Sequence, residues 1–236
     1  MSRSAPDPPQ ESNPAGRLEV REVRITPAGL PGTLRIPHGA RSVVLFAHGS
    51  GSSRFSPRNM AVAEALNERG FATLLFDLLS AAEETKRANV FDIPLLAGRL
   101  AGAVEWLGRD PWAGQKPIGL FGASTGAAAA LVAAASLGER VRAIVSRGGR
   151  PDLADGALDQ ICTPALLIVG GADYGVIELN REAFERLRGP KALEIVPGAS
   201  HLFPEPGALD AVIAHAARWF ARYLIPVAAG GAGPGS

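Results

Sequence analysis

PIGLFGASTGAAAALVAAA, residues 117–135, joins a short apolar run, a turn of small residues and an alanine-rich run. Its central GASTG fits the pattern G-x-S-x-G, in which a serine sits on a sharp turn between a strand and a helix. Side chains at Gly122 and Gly126 would collide with the neighbouring strand or helix, so both positions favour glycine. A helix that begins near Thr125 would point its free N–H groups at the space above the Ser124 hydroxyl. The alternative is a glycine-rich turn whose serine does no chemistry.

Length and composition limit the classes of protein. The chain has 236 residues, which suits one α/β domain with a full hydrophobic core. Its 24 basic and 23 acidic residues leave a net charge of +1, so nothing favours nucleic acid or an anionic membrane as a partner. The N-terminus lacks an apolar signal segment and no stretch is long enough to cross a membrane, so we expect a cytoplasmic protein.

Neither cysteine nor histidine predicts a metal or redox site. Cys162 is the only cysteine, which excludes an internal disulfide, and its apolar neighbours predict a place in the core. The four histidines are scattered without the spacing of metal ligands. GASTGAA lacks the lysine of a phosphate-binding loop, so we expect neither a metal nor a nucleotide cofactor.

Composition also changes along the chain. Residues 1–16 are rich in proline, serine and charge, which predicts a disordered segment, and the glycine-rich residues 227–236 predict a flexible tail. We expect residues 17–226 to form one domain. No heptad pattern or unexplained apolar stripe predicts an oligomeric state.

Inside this domain, apolar runs alternate with segments of helical periodicity. This alternation predicts an α/β fold with a mostly parallel eight-stranded sheet and helices on both faces. The first two strands carry charged residues and are expected to be antiparallel at one edge. The predicted strands are 18–26, 32–36, 42–47, 71–76, 118–122, 141–145, 165–169 and 193–196. Three helices are expected to begin after Ser56-Pro57, after Asp92 and after Ser124. Three more helical segments are expected over 153–160, 178–187 and 207–224.

A serine hydroxyl needs a base, and the base needs an acid to fix its tautomer. Asp173 follows the predicted strand 165–169, and His201 follows the strand 193–196. In parallel sheets the functional groups collect at the carboxyl ends of the strands, where both residues lie. Asp152 and Asp77 also follow strands and remain alternatives to Asp173, while His201 could instead cap the last helix.

Four motifs together resemble the α/β-hydrolase superfamily, and more closely its small dienelactone hydrolase-like group. They are HGSG at residues 48–51, GASTG, GGADYGVI and GASHLF, and the resemblance spans about residues 43–224. It implies a serine hydrolase with Ser124, Asp173 and His201 as the catalytic triad. It also implies an oxyanion hole formed by the backbone N–H of Thr125 and one from the HGSG turn, Ser50 or Gly51. Dienelactone hydrolases carry cysteine where this chain has Ser124, which argues against a dienelactone substrate.

The expected reaction is hydrolysis of carboxylic esters through an acyl-enzyme. Only about seventeen residues separate the strands ending at Ser146 and starting at Pro164, too few for a helical lid. We therefore expect no lid domain, an open cleft and small soluble substrates. A thioesterase, an amidase or an acyltransferase would use the same triad, and a ligand-binding protein without turnover could keep the fold.

Arginines cluster near the expected mouth of the cleft. Arg54 and Arg58 follow HGSG, and Arg147 and Arg150 lie in SRGGRPD. Guanidinium groups can hold a substrate carboxylate or phosphate through paired hydrogen bonds. Alternatively, they pair with Asp152 or Asp77, or face the solvent.

Overall fold

The computed structural model describes residues 18–225. The predictions of a disordered segment at 1–16 and a flexible tail at 227–236 lie outside the described residues. The boundary residues 17 and 226 are outside them as well.

Eight strands form one sheet in the order β1-β2-β4-β3-β5-β6-β7-β8. β1 pairs antiparallel with β2, and β2 pairs antiparallel with β4, while every later pair is parallel. The predicted mostly parallel sheet with an antiparallel edge is therefore confirmed. The strands are β1 (Glu19–Ile25), β2 (Leu30–Ile36), β3 (Val43–Ala47), β4 (Ala72–Phe76), β5 (Ile118–Ala123), β6 (Val141–Arg147), β7 (Ala165–Gly170) and β8 (Lys191–Val196).

The central strands are apolar along their whole length because both faces of the sheet are covered. Every residue of β3, β4, β5 and β7 is buried. β1, at the edge, alternates exposed and half-buried residues. Continuous apolar runs therefore mark buried parallel strands, and alternation marks the half-covered edge.

Helices pack on both faces of the sheet. One core lies under α4 and α5, and a second lies under α1 and α8. The helices are α1 (Pro57–Glu68), α2 (Ala81–Glu84), α3 (Arg87–Val90), α4 (Ile93–Gly108), α5 (Thr125–Leu137), α6 (Asp155–Leu158), α7 (Tyr174–Arg186) and α8 (Ala208–Leu224). None of the helices in residues 18–225 is both long and apolar enough to cross a bilayer.

The predicted helix starts after Ser56 and Asp92 are confirmed by their caps. The Ser56 side chain accepts a hydrogen bond from the Asn59 N–H, and the Asp92 side chain accepts one from the Leu95 N–H. The segment β6–β7 holds only a 3-10 helix (Pro151–Ala154) and the one-turn α6. This short connection agrees with the expected absence of a lid.

Cys162 is a correction to the sequence analysis. It was predicted to fill the core, but its side chain is exposed, although Ile161 and Thr163 on either side are buried. The segment before β7 is neither helix nor strand, so the polarity of the neighbours does not determine which way a side chain points.

Candidate active site

Ser124 lies at the end of β5, on the turn that leads into α5. Its backbone has φ 50° and ψ −121°, a region that non-glycine residues rarely occupy and that costs of order 1–3 kcal/mol. A side chain at Gly122 would overlap the Ala127 backbone, and one at Gly126 would overlap the Ala47 backbone. The steric requirement predicted for the two glycines is therefore confirmed, and the turn leaves Ser124 half-buried rather than sealed in the core.

The loop after β6 holds the strained turn in place. The Ser124 N–H donates to the Arg147 carbonyl at 3.2 Å, and the Arg150 N–H donates to the Ser124 carbonyl at the same distance. The Ala127 N–H also donates to the Ser124 carbonyl, at 3.0 Å. Backbone hydrogen bonds on both sides of the serine therefore offset the cost of its conformation.

The structure brings His201 against Asp173. His201 lies in the loop between β8 and α8, and Asp173 lies between β7 and α7. The His201 Nδ1 atom is 2.7 Å from Asp173 Oδ2. In the neutral imidazole this contact places the proton on Nδ1 and leaves Nε2 as a proton acceptor. Asp152, the alternative acid, instead accepts two hydrogen bonds from the Arg150 guanidinium, at 2.8 and 2.7 Å.

Gly148 connects the serine turn with the histidine loop. It follows Arg147, whose carbonyl accepts from the Ser124 N–H, and it has φ +53°. A Cβ atom at Gly148 would lie 3.0 Å from the His201 carbonyl oxygen and 3.6 Å from His201 Cε1. The serine turn and the imidazole therefore flank the same glycine at the carboxyl end of the sheet.

A hydrogen bond that the sequence did not reveal fixes the His201 loop from its other side. Glu205 Oε1 accepts from the Ser200 N–H at 3.0 Å and from the Ser200 hydroxyl at 2.5 Å. These bonds hold the pKa of the Glu205 carboxyl below its usual value. No sequence pattern distinguishes this glutamate from other loop glutamates.

The HGSG turn after β3 approaches the serine from the opposite side. A Cβ atom at Gly49 would lie 3.1 Å from Ser124 Cβ, so this contact requires glycine. The Ser50 N–H already donates to the Thr125 hydroxyl at 2.8 Å. Among the described residues, the Gly51 N–H makes no hydrogen bond, and the Thr125 N–H belongs to the first helical turn, where no intrahelical acceptor exists.

His48 stabilises the base of this turn and lies away from the proton-transfer groups. It is buried, its Nδ1 lies 3.1 Å from the Gly49 carbonyl, and its Nε2 lies 3.1 Å from the Leu78 N–H. Nδ1 therefore carries the proton and Nε2 accepts, which requires a neutral ring. Burial lowers the pKa of His48, in agreement with this neutral state.

Of the four arginines predicted near the cleft, two have a carboxylate partner and two do not. Arg54 forms an ion pair with Asp77, whose other oxygen accepts the Arg54 N–H at 2.8 Å. Arg150 forms the pair with Asp152 described above. Arg58 and Arg147 form no ion pair with any carboxylate in residues 18–225.

A cleft of about 550 Å³ opens beside the HGSG turn. Its polar lining residues include Ser50, Ser52, Ser53 and Glu84. Its apolar lining residues include Phe55, Leu78, Leu79, Val90 and Leu96. Gly49 lines the cleft and also contacts Ser124, so the cleft begins next to the serine. Residues 18–225 contain no group of three or more His, Cys, Asp or Glu side chains arranged to hold a metal ion.

Comparison with known proteins assigns the family. Residues 42–161 match the family model described as alpha/beta hydrolase fold. The crystal structure of a dienelactone hydrolase from Anabaena variabilis ATCC 29413 superposes with a TM-score of 0.85 and 53% sequence identity, covering 89% of this chain and 100% of that one. The chain belongs to the alpha/beta hydrolase family. It is a dienelactone hydrolase-like member, as the sequence motifs predicted.

Two further comparisons give a fold match at low sequence identity and a match to two longer proteins. The metagenomic P91 protein, described as a dienelactone hydrolase-like promiscuous phosphotriesterase, shares the fold with a TM-score of 0.71 at 18% identity, over 89% of this chain and 100% of that one. Two curated proteins from strains of Mycobacterium tuberculosis, each named "Putative phosphoribosyl transferase", are 54% identical over 213 residues. That match covers 90% of this chain and 48% of theirs, so the chain spans about half the length of these curated relatives.

Proposed function

We propose that the protein is a serine hydrolase that cleaves carboxylic esters of small, soluble substrates. The observation that carries this proposal is the 2.7 Å contact between His201 Nδ1 and Asp173 Oδ2, formed beside the strained turn of Ser124. A loop histidine that only capped a helix would not need a carboxylate as a hydrogen-bond partner. The family supports hydrolysis, and the serine, the histidine and the aspartate follow in the chain order known for this fold.

In the proposed mechanism, His201 Nε2 takes the proton of the Ser124 hydroxyl as Ser124 Oγ attacks the ester carbonyl carbon. Asp173 keeps the Nδ1 proton in place and stabilises the imidazolium. The tetrahedral intermediate collapses when His201 returns the proton to the leaving alcohol. Water, activated by the same imidazole, then attacks the acyl-enzyme and releases the acid and the free serine.

The oxyanion of the intermediate is stabilised by two backbone donors in this proposal. One is the Thr125 N–H at the start of α5, reinforced by the positive end of the helix dipole. Ser50 and Gly51 were both predicted as the second donor. The Gly51 N–H makes no hydrogen bond with any described residue and is free to donate to the oxyanion. The Ser50 N–H already donates to the Thr125 hydroxyl and would first have to break that bond.

The cleft supports the proposed substrate class. Its apolar lining residues suit an acyl chain of modest length, and its serine residues suit a polar group. The short connection between β6 and β7 leaves the serine accessible without lid opening. Neither feature distinguishes an oxygen ester from a thioester or an amide, and an acyltransferase would differ only in the acceptor of the acyl group.

A fluorophosphonate probe tests the nucleophile. We expect it to label the wild-type protein and to leave Ser124→Ala unlabelled. Ser146→Ala is the control, because Ser146 also lies near the carboxyl end of a strand but is fully buried, and its hydroxyl makes no hydrogen bond with any described residue. Absence of labelling in the folded wild type would favour a ligand-binding protein without turnover.

A substrate panel then tests the reaction class. Aryl and alkyl esters, the corresponding thioesters and amides, and an alcohol acceptor would be compared by kcat/KM. We expect oxygen esters with short acyl groups to be cleaved fastest. A consistent preference for thioesters or amides, or transfer to the alcohol in place of water, would replace the ester assignment and keep the triad.

A further inference from the structure

Arg147 is a buried cation without a counter-charge. Only 4% of its surface is exposed, at the end of β6. Its Nη2 donates to the Asn59 side-chain oxygen at 3.3 Å, and its guanidinium lies 5.9 Å from the centre of the Phe203 ring. Its Nε is buried and has no hydrogen-bond partner among the described residues. A neutral amide and an aromatic ring offset only part of the cost of burying a charge.

Arg58 adds a second positive charge at the same place. It is half-buried on the first turn of α1, next to Asn59, and its Nε is also buried without a partner in residues 18–225. Burial and the charge of Arg58 together lower the pKa of Arg147 to about 10. Arg147 is therefore still protonated at neutral pH, and the two guanidinium groups repel each other.

Four acidic residues around the site are bound to other groups. Asp77 pairs with Arg54, Asp152 pairs with Arg150, and Asp173 contacts His201. Glu205 accepts its hydrogen bonds from Ser200. Glu84 also lines the cleft, but like these four it forms no ion pair with Arg58 or Arg147.

The arginine pair lies next to the reacting groups. The carbonyl of Arg147 accepts from the Ser124 N–H, and the next residue, Gly148, contacts the His201 imidazole. On the other side, Arg58 directly follows Pro57, which lines the cleft together with Ser56. The pair therefore borders the serine turn through the Arg147 backbone and the cleft through Pro57, so an anion bound by it would lie beside both.

We propose that Arg58 and Arg147 form a binding site for a phosphate group of the substrate, so that the preferred substrates are carboxylic esters that carry a phosphate monoester. The substrate part of this inference rests on the proposed ester hydrolysis. Two unpaired guanidinium groups carry two positive charges, which a phosphate monoester dianion neutralises and a carboxylate neutralises only by half. The planar donors of arginine also match the oxygen spacing of phosphate.

Inorganic phosphate tests the site independently of catalysis. At constant ionic strength, set with sodium chloride, we expect 10 mM phosphate to raise the Tm of the wild type by about 3 °C, as a millimolar Kd would give. Ser124→Ala should show the same rise. Arg147→Gln and Arg58→Gln should lose it, and Arg142→Gln, an exposed arginine on the same strand as Arg147, should keep it.

Several results would overturn the proposal. It is wrong if phosphate and chloride give the same Tm, or if the rise survives in both Arg58→Gln and Arg147→Gln. Because Arg147 is buried, its variant could fail to fold, and the half-buried Arg58 then gives the decisive comparison. A larger rise with acetate or succinate than with phosphate would assign the site to carboxylates and would overturn the phosphate proposal.

Activity tests the substrate class. A pair of esters that differ only by a phosphate in place of a hydroxyl should differ in kcat/KM by about 10- to 100-fold in favour of the phosphorylated one, and Arg58→Gln should abolish that preference. If fluorophosphonate labels Ser124 but phosphate does not bind, the hydrolase proposal stands and this inference fails. If phosphate binds but nothing labels Ser124, the anion site stands and the ester reaction fails.

Discussion

The backbone of Ser124 stores strain that the hydroxyl does not cause. Its φ of 50° and ψ of −121° are accessible to glycine without steric cost. Removing the hydroxyl alone and removing the whole side chain should therefore have the same effect on catalysis but different effects on stability.

Ser124→Ala and Ser124→Gly should each lower kcat by 10³-fold or more if Ser124 is the nucleophile. Ser124→Gly should be more stable than Ser124→Ala by about 1 kcal/mol, because glycine adopts the observed backbone angles freely. Urea unfolding of both variants measures the difference. Equal stability of the two variants would mean that the turn relaxes once the hydroxyl is gone.

Asp173 and Asp152 provide a matched test of the acid. Asp173→Asn should lower kcat by about 10³-fold or more, because an amide no longer fixes the Nδ1 proton of His201. Asp152→Asn should leave kcat within a few-fold of wild type, because its partner is Arg150. Steady-state kinetics on one ester distinguishes the two, and a larger loss in Asp152→Asn would reverse the assignment.

His48 joins the ends of β3 and β4, since its ring contacts both the Gly49 carbonyl and the Leu78 N–H. Burial lowers its pKa in the folded protein below the ordinary value of 6.5. Below pH 6.5 the unfolded chain therefore binds a proton that the folded protein does not. The stabilising contribution of neutral His48 is complete above this pH and is lost as the pH falls.

We expect the stability advantage of the wild type over His48→Asn to shrink by about 1 kcal/mol between pH 7 and pH 5.5. Asparagine keeps a donor for the Gly49 carbonyl but does not titrate. Urea unfolding at several pH values measures the difference. A constant advantage would show that the folded and unfolded protein protonate His48 equally, and would contradict the buried neutral ring.

α7 positions the loop under the serine through one buried amide. Asn180 is fully buried, and its Nδ2 donates to the Gly149 carbonyl at 3.0 Å and to the Val176 carbonyl at 2.8 Å. Gly149 lies between Arg147 and Arg150, whose backbones form hydrogen bonds with Ser124. The helix that begins beside Asp173, the proposed catalytic acid, therefore also supports the turn of Ser124, the proposed nucleophile.

Asn180→Ala should lower the free energy of unfolding by about 1–3 kcal/mol, because the Gly149 carbonyl loses its buried donor. It should also lower kcat more than it changes KM, since the serine turn loses support. Glu178→Ala, on the exposed side of the same helix, should change neither quantity appreciably. Chemical unfolding and steady-state kinetics measure both, and an unaltered kcat in a destabilised Asn180→Ala would confine this residue to stability.

The positions of the strands along the chain and the tight turn at Ser124 were predictable because both depend on local patterns. Continuous apolar runs at 42–47 and 165–169 mark buried strands, and glycines around Ser124 mark a turn too tight for side chains. The short helices α2 and α3 were not predicted, because four-residue helices carry no periodic apolar face. α7 begins at Tyr174, four residues before the predicted start at residue 178. This start was not predicted because the first turn of α7 contains no acidic residue to mark it in the sequence.

Partners that depend on tertiary contacts could not be predicted. The sequence placed four arginines near the cleft but could not show that Arg54 and Arg150 have carboxylate partners while Arg58 and Arg147 do not. The bond from the Ser50 N–H to the Thr125 hydroxyl joins two separate loops and leaves no sequence signal. Asn180 did leave one, because it continues the apolar spacing of Ile177 and Ala183 on the buried face of α7.

All the groups proposed to act in catalysis lie between residues 48 and 201, inside the described range. The Anabaena dienelactone hydrolase matches 89% of this chain over its own full length. We therefore expect a fragment of residues 18–225 to keep kcat/KM within about twofold and Tm within about 2 °C of the full chain. Activity assays and calorimetry on both proteins measure this, and a large loss in the fragment would show that the terminal residues contribute to the fold or the cleft.

The exposed Cys162 precedes β7 and therefore lies at the amino end of that strand, whereas Ser124 lies at the carboxyl end of β5, which runs parallel to β7 with β6 between them. As the sole thiol of the chain, it offers a single natural attachment point for a maleimide dye or a solid support. A molecule tethered there presents its cleft to the solution, so substrate binding can be followed on the immobilised protein without introducing or removing any residue.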